Sequence, residues 1–183
     1  MKRGTWAVAA TVLVLGGLQG CAAEERPGTD PGVGEPTVAS RCSGGVSGRS
    51  LRESLVSVDR IARQRHPGVF TGLSADEGDR AADVYRVPSA AFDSDVCAAA
   101  GKGVTVRLHD TDVSRRELDD LAERIGADMH RWDGTFQLRE VGVDERGWVN
   151  VGVDDPEAAE KAVLGEFGAE HIRVVRAGQA SAD

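Results

Sequence analysis

From residue 50 onward the apolar positions fall into one pattern, used twice. Ser50-Leu51-Arg52-Glu53 and Ser114-Arg115-Arg116-Glu117 both have the S-x-x-E form of a capping box. In such a box the serine oxygen takes an orphan amide and the glutamate reaches back to the serine N–H. After the first box Leu51, Leu55, Val58 and Ala62 recur at helical spacing. After the second, Leu118, Leu121, Ala122, Ile125 and Met129 do the same, and Trp132 continues the stripe. Each predicted helix gives way to a hairpin. Strands over 69–75 and 82–87 flank Asp76-Glu77-Gly78-Asp79, and strands over 136–143 and 148–153 flank Asp144-Glu145-Arg146-Gly147. Val149, Val151 and Val153 alternate with Asn150 and Gly152, the pattern of a strand with one buried face. Helices over 90–100 and 157–167 follow Pro88-Ser89 and Asp155-Pro156, with proline where a first helical turn admits it. Gly101, Gly103 and Gly168 punctuate the exits, and strands over 104–108 and 172–175 close the units.

The order helix, strand, strand, helix, strand thus repeats at an offset of 64 to 68 residues. The prediction is an α+β fold of two tandem αββαβ units, residues 50–110 and 111–177, followed by a short tail over 178–183. Each unit forms a small three-stranded sheet with helices on one face. A right-handed crossover sets the closing strand parallel to the second hairpin strand. Placed beside the first hairpin strand instead, it makes a split βαβ arrangement. The face without helices must meet solvent, the sister unit or a partner.

The head of the chain is patterned differently. Met1-Lys2-Arg3 is a short cationic start, residues 5–18 are an apolar run of 14, and Leu18-Gln19-Gly20-Cys21 ends it. That run falls short of the roughly 20 residues that cross a bilayer as a helix. Leu18, Gln19, Gly20 and Cys21 resemble the lipobox of bacterial lipoproteins. The resemblance implies that residues 1–20 are a signal peptide cleaved after Gly20. Cys21 then becomes the first mature residue and carries a diacylglycerol on its sulfur. Two or more acyl chains hold a protein stably on a membrane, here the extracytoplasmic face, where one chain does not. An ordinary secretory signal cut near Ala22 or Ala23 is the alternative. From 22 to 49 the chain is rich in Gly, Pro, Ser, Thr and Glu, with hardly a large apolar residue. It is expected to be a disordered tether with a reach of about 30 Å.

The formal net charge of the 183 residues is −8, and loss of Lys2 and Arg3 with the signal leaves 20 basic against 30 acidic residues. A mature charge of −10 repels phosphate backbones and anionic head groups, so no nucleic-acid partner is expected and contact with the bilayer should run through Cys21. Aromatics are 4% of the chain, so Val, Leu, Ile and Ala must build the cores. Abundant Ala, Gly, Val, Arg and Asp, with Lys102 and Lys161 the lysines after Cys21, suggest a high-GC bacterium. With Cys21 acylated, Cys42 and Cys97 remain. They either form a disulfide, which persists outside the cytoplasm, or stay as two free thiols.

Neither a nucleophile elbow, a zinc-protease motif, a phosphate loop nor a dinucleotide fingerprint is present, and no cofactor is expected. His66, His109, His130 and His171 are scattered without metal-ligand spacing. His109 beside Asp110 and Asp112 is the nearest thing to a base with an orienting carboxylate, although a strand-to-helix turn capped by Asp112 explains the same residues. The acidic groups Asp76-Glu77-Asp79, Asp110-Asp112, Asp144-Glu145 and Asp154-Asp155 lack the register of a calcium loop and sit at turns and helix starts. Trp148, just after a turn, and Asn150 beside it are the candidate recognition residues. Core or cross-strand packing is the competing use of that tryptophan.

The second unit also resembles two known families. Val141-Gly142-Val143-Asp144, Val149-Asn150-Val151, Ala158-Ala159, Phe167-Gly168 and Ile172-Arg173-Val174-Val175 are similar to the propeptide domains of α-lytic-protease and streptogrisin-like secreted proteases. Those propeptides are foldases and inhibitors, which implies a binding mode and not proteolysis here, since no Gly-Asp-Ser-Gly motif exists. The helix–hairpin–helix–strand order and Gly147-Trp148-Val149-Asn150-Val151 resemble BON domains of envelope proteins, which implies phospholipid contact and envelope integrity. Three readings follow. The first is a non-enzymatic lipoprotein binding an envelope or secreted protein. The second is a lipid-binding module, and the third an enzyme that needs His109, Asp110 and second-unit carboxylates in one pocket.

Overall fold

The computed structural model describes residues 37–177. Within them the fold is α+β, with four helices and two small mixed sheets. In chain order the elements are β1 (Val38–Ser43), α1 (Leu51–Arg65), β2 (Phe70–Asp76), β3 (Ala81–Arg86), α2 (Ala90–Ala99) and β4 (Thr105–Asp110). They continue with α3 (Arg115–Ala127), β5 (Leu138–Val143), β6 (Val149–Val153), α4 (Pro156–Phe167) and β7 (Ile172–Arg176). Both capping boxes close in both directions. Ser50 Oγ accepts from Glu53 N at 3.3 Å while Ser50 N donates to Glu53 at 2.8 Å. Ser114 and Glu117 repeat this at 3.4 and 2.8 Å.

In both sheets the hairpin strands pair antiparallel and the strand after the helix lies parallel beside the second of them: β3 with β4, β6 with β7. The closing strand therefore extends the hairpin outward, and the split arrangement does not form. Strand alternation turns Val84, Val106 and Leu108 toward α1 and α2, where they pack with Val58, Ala62, Phe92 and Val96. A second core joins Leu118, Leu121 and Ile125 of α3 to Val149, Val151 and Val153 of β6 and Val163 of α4.

Two expectations need correction. The first sheet has four strands, in the order β1-β4-β3-β2, because residues expected to be tether form a strand. β1 pairs antiparallel with β4, with Ser40 opposite Leu108 and Cys42 opposite Val106. Five of its six residues are exposed, so ladder hydrogen bonds rather than apolar burial hold it there. The expected tether boundary at 49 is too late, and what remains of that tether, with Leu18, Gln19, Gly20 and Cys21, lies outside the described residues. Trp132 does not continue a helical stripe. α3 ends at Ala127, and Trp132 sits in the turns that follow, stacked on Phe136 at 5.3 Å and edge-on to Phe167 at 6.1 Å.

The two sheets meet through the β5–β6 turn. Gly72 of β2 lies so close to the backbone of Glu145 that a Cβ there would collide with it, which is why this strand position is a glycine. Beside it Thr71 Oγ1 donates to the Val113 carbonyl at 2.5 Å and lies 2.6 Å from Thr111 Oγ1.

Candidate binding surface

Each sheet has an outer face, opposite its helices, and the two faces are used differently. On the first, the row Ser74–Asp83–Arg107 and the row Gly72–Tyr85–His109 run across β2, β3 and β4. Arg107 donates to Asp83 at 2.6 and 2.8 Å, to Asp76 at 2.8 Å and to Asp79 at 3.1 Å. His109 Nε2 lies 2.7 Å from Asp83 Oδ1, the oxygen that also accepts from Arg107 Nε, and its ring stacks on Tyr85 at 4.6 Å. Burial pushes the Asp83 carboxyl up, but the hydrogen bonds from Arg107 and His109 outweigh it and leave the group below the usual carboxylate range. The same contacts, Asp83 foremost, raise Arg107. Burial also raises the Tyr85 phenol, and Arg146 and Glu145 of the second unit act on it electrostatically. The first outer face is thus filled by its own charge network and by the turn docked over Gly72.

On the second sheet the corresponding rows are Gly142–Asn150–Arg173 and Glu140–Gly152–Val175. Asn150 stands where the first sheet has Asp83, so it offers no countercharge to the arginine beside it. Arg173 leans instead over Trp148, with its guanidinium carbon 4.0 Å from the ring centroid, and Asp144 lies 3.9 Å from it. Trp148 is fixed from below: the Asp144 carboxylate accepts from the backbone N–H of Arg146 and of Trp148, both at 2.9 Å, which sets the turn. His171, in a left-handed conformation (φ 59°), donates Nδ1–H to the Gly147 carbonyl at 3.1 Å and places its ring 6.1 Å from Trp148. Glu140, Gly142, Arg173 and Val175 are exposed. The candidate residues Trp148 and Asn150, each half-buried, therefore share a face that the described residues leave uncovered.

The remaining candidates fall elsewhere. Cys42 and Cys97 form a disulfide joining β1 to α2, with Cα atoms 6.0 Å apart. His109 and Asp110 point to opposite faces of β4. Asp110 pairs with Arg86, which also grips Asp93 at 2.6 and 2.9 Å on the helix side. The pocket that would join His109, Asp110 and second-unit carboxylates is not formed. His66 binds Asp95 at 3.0 Å, and His130 meets Asp133 at 3.3 Å on the surface. Asp76 and Asp79, read as a loop cluster, serve Arg107. Asp83 as the partner of His109 escaped sequence reasoning because it comes from a neighbouring strand. Only the parallel register Asp83↔Arg107, Tyr85↔His109 brings them together.

Among the described residues no helix is long and apolar enough to cross a membrane. No family model and no curated protein matches the chain.

Proposed function

We propose that this protein is a membrane-anchored extracytoplasmic lipoprotein whose body is a non-enzymatic protein-binding module of the cell envelope. One observation supports the binding role above others: among the described residues the second sheet leaves an outer face uncovered whose counterpart on the first sheet is filled. That face carries a tryptophan ring under an arginine, the two residue types that most often anchor protein contacts, beside an asparagine and an exposed valine. The Cys42–Cys97 disulfide agrees with an oxidising compartment. The lipobox resemblance at Leu18-Gln19-Gly20-Cys21 supports the anchor.

Metabolic labelling with an alkyne fatty acid, followed by fractionation, tests the anchor. The wild-type chain should label and sediment with membranes, and Cys21→Ser should do neither. A Cys21→Ser chain still held on membranes overturns it. For the module, a photo-crosslinking residue at position 150 in intact cells should capture one protein, while the same group at the exposed Arg60 of α1 should not. Equal capture at both positions, or none at 150, removes the binding role from this face.

A further inference from the structure

The two sheets have four outer strands, and an outer strand offers unpaired backbone groups to any extended segment. Three of the four are interrupted. β1 shifts register between Val38 and Ser40, β2 between Phe70 and Gly72, and β5 between Leu138 and Glu140. Such irregularities bend a strand and break further pairing. β7 is different: it pairs with β6 from Val149↔Ile172 to Val153↔Arg176 in unbroken register. His171 O accepts from Val149 N at 2.7 Å and Ala177 N donates to Val153 O at 2.8 Å. A parallel ladder uses alternate residues, so Arg173 and Val175 complete it and the backbone groups of Ile172, Val174 and Arg176 point away from β6.

We propose that β7 takes up an extended acidic segment of the partner protein as a fourth strand of the second sheet. This rests on the binding role proposed above and names its geometry. Charge selects the occupant. Arg173 is exposed on the outer face and Arg176 at the end of the strand. A second copy of β7 laid antiparallel about Val174 would set Arg173 diagonally beside its own counterpart, and like charges so placed disfavour the pair. A carboxylate on an added strand meets a guanidinium already oriented by the Trp148 ring, with Asp144 at 3.9 Å engaging it at the outer limit of an ion pair. Val174 is half-buried on the face opposite Arg173, so apolar residues of the segment have surface to cover there while acidic ones meet Arg173. The chemistry recognised is a short strand in which acidic and β-branched residues alternate.

The probe is a fluorescein-labelled octapeptide alternating Val and Glu, with the Val/Lys octapeptide as its counterpart, each titrated with the full chain by anisotropy. The Val/Glu peptide should bind about tenfold more tightly or better, and the Val174 and Arg176 amides should gain protection from hydrogen exchange. Val174→Pro removes an N–H that the ladder does not use, so it should keep the β6–β7 pair and lower peptide affinity about tenfold. Should Val174→Pro unfold the chain, the pair Arg173→Glu and Arg176→Glu decides, with preference expected to pass to the Val/Lys peptide. Equal binding of the two peptides, undiminished binding by folded Val174→Pro, or an unaltered preference after charge reversal overturns the proposal. The wider reading is judged separately: a position-150 cross-link that survives Val174→Pro leaves the module intact and removes only β7 as its edge.

Discussion

Reduction of the Cys42–Cys97 disulfide should weaken the fold by an amount that its loop length predicts. The bridge spans 55 residues of sequence and encloses α1, β2, β3 and most of α2. In the chain-entropy account a closed loop of that size stabilises the native state by about 4 kcal/mol. For a body of this size that corresponds to roughly 10–15 °C in Tm. The measurement is a thermal melt of the full chain by circular dichroism, with and without reductant, beside a Cys42→Ala/Cys97→Ala double variant. Both cysteines pack at the edge of the first core, so the double variant also loses contacts. The reduced wild type keeps every atom and isolates the cross-link itself. Reductant should lower the wild-type Tm and leave the variant unmoved. Hydrogen exchange adds a local readout, because β1 is mostly exposed and should fray first, raising exchange at the β4 amides paired with it. A reduced wild type melting within about 3 °C of the oxidised form would refute the loop-entropy reasoning.

Two further substitutions probe the sheet junction and the first outer face. Gly72→Ala drives a methyl group into the Glu145 backbone and should cost about 2–3 kcal/mol in urea unfolding, whereas Gly45→Ala, with open space around it, should stay within about 0.5 kcal/mol. Similar midpoints for the two variants would show that the turn is not tightly docked. Asp83→Asn tests the network around Arg107. The folded Asp83 carboxyl titrates below its ordinary value, so its stabilisation is present above the unfolded value and is lost as pH falls through the folded one. The variant should therefore be weaker by about 2 kcal/mol at pH 7, with the difference shrinking below about pH 4. Urea midpoints that differ equally at pH 7 and pH 3 would show that charge is not what Asp83 contributes.

Much of the fold was legible because local signals and burial agree. The two S-x-x-E boxes mark where α1 and α3 begin, and alternating valines mark β6. The Asp-Glu turns and the closing strands fall within one or two residues of their predicted places. What escaped notice is held by long-range pairing without an apolar signature. β1 reads Val-Ala-Ser-Arg-Cys-Ser, a segment that buries little and owes its place to the free side of β4 and to one sulfur–sulfur bond. The His109–Asp83–Arg107 network is a product of register, as is the separation of His109 from Asp110, which alternation alone would have announced once the strand was extended to residue 110. Trp148 and Asn150 were identified together as surface residues. Their connection to Arg173 was not, since it needs the parallel pairing Asn150↔Arg173.

The position of β1 also changes what an anchor at Cys21 would mean. With the tether ending at residue 49, the body would stand well clear of the membrane. With β1 beginning at Val38, sixteen residues separate that strand from Cys21. Whatever their conformation, they span at most about 60 Å. Any pull from the proposed anchor enters the body through β1, which lies on the edge of its sheet and has few buried side chains to resist it. The disulfide sits near its far end, at Cys42, and ties it to α2 inside the first core. A pull that opens the Val38 end must then stop at a covalent bond before it reaches α1. On this argument the staple is placed where the load arrives, and the uncovered face of the second sheet belongs to the half of the body that bears none of it.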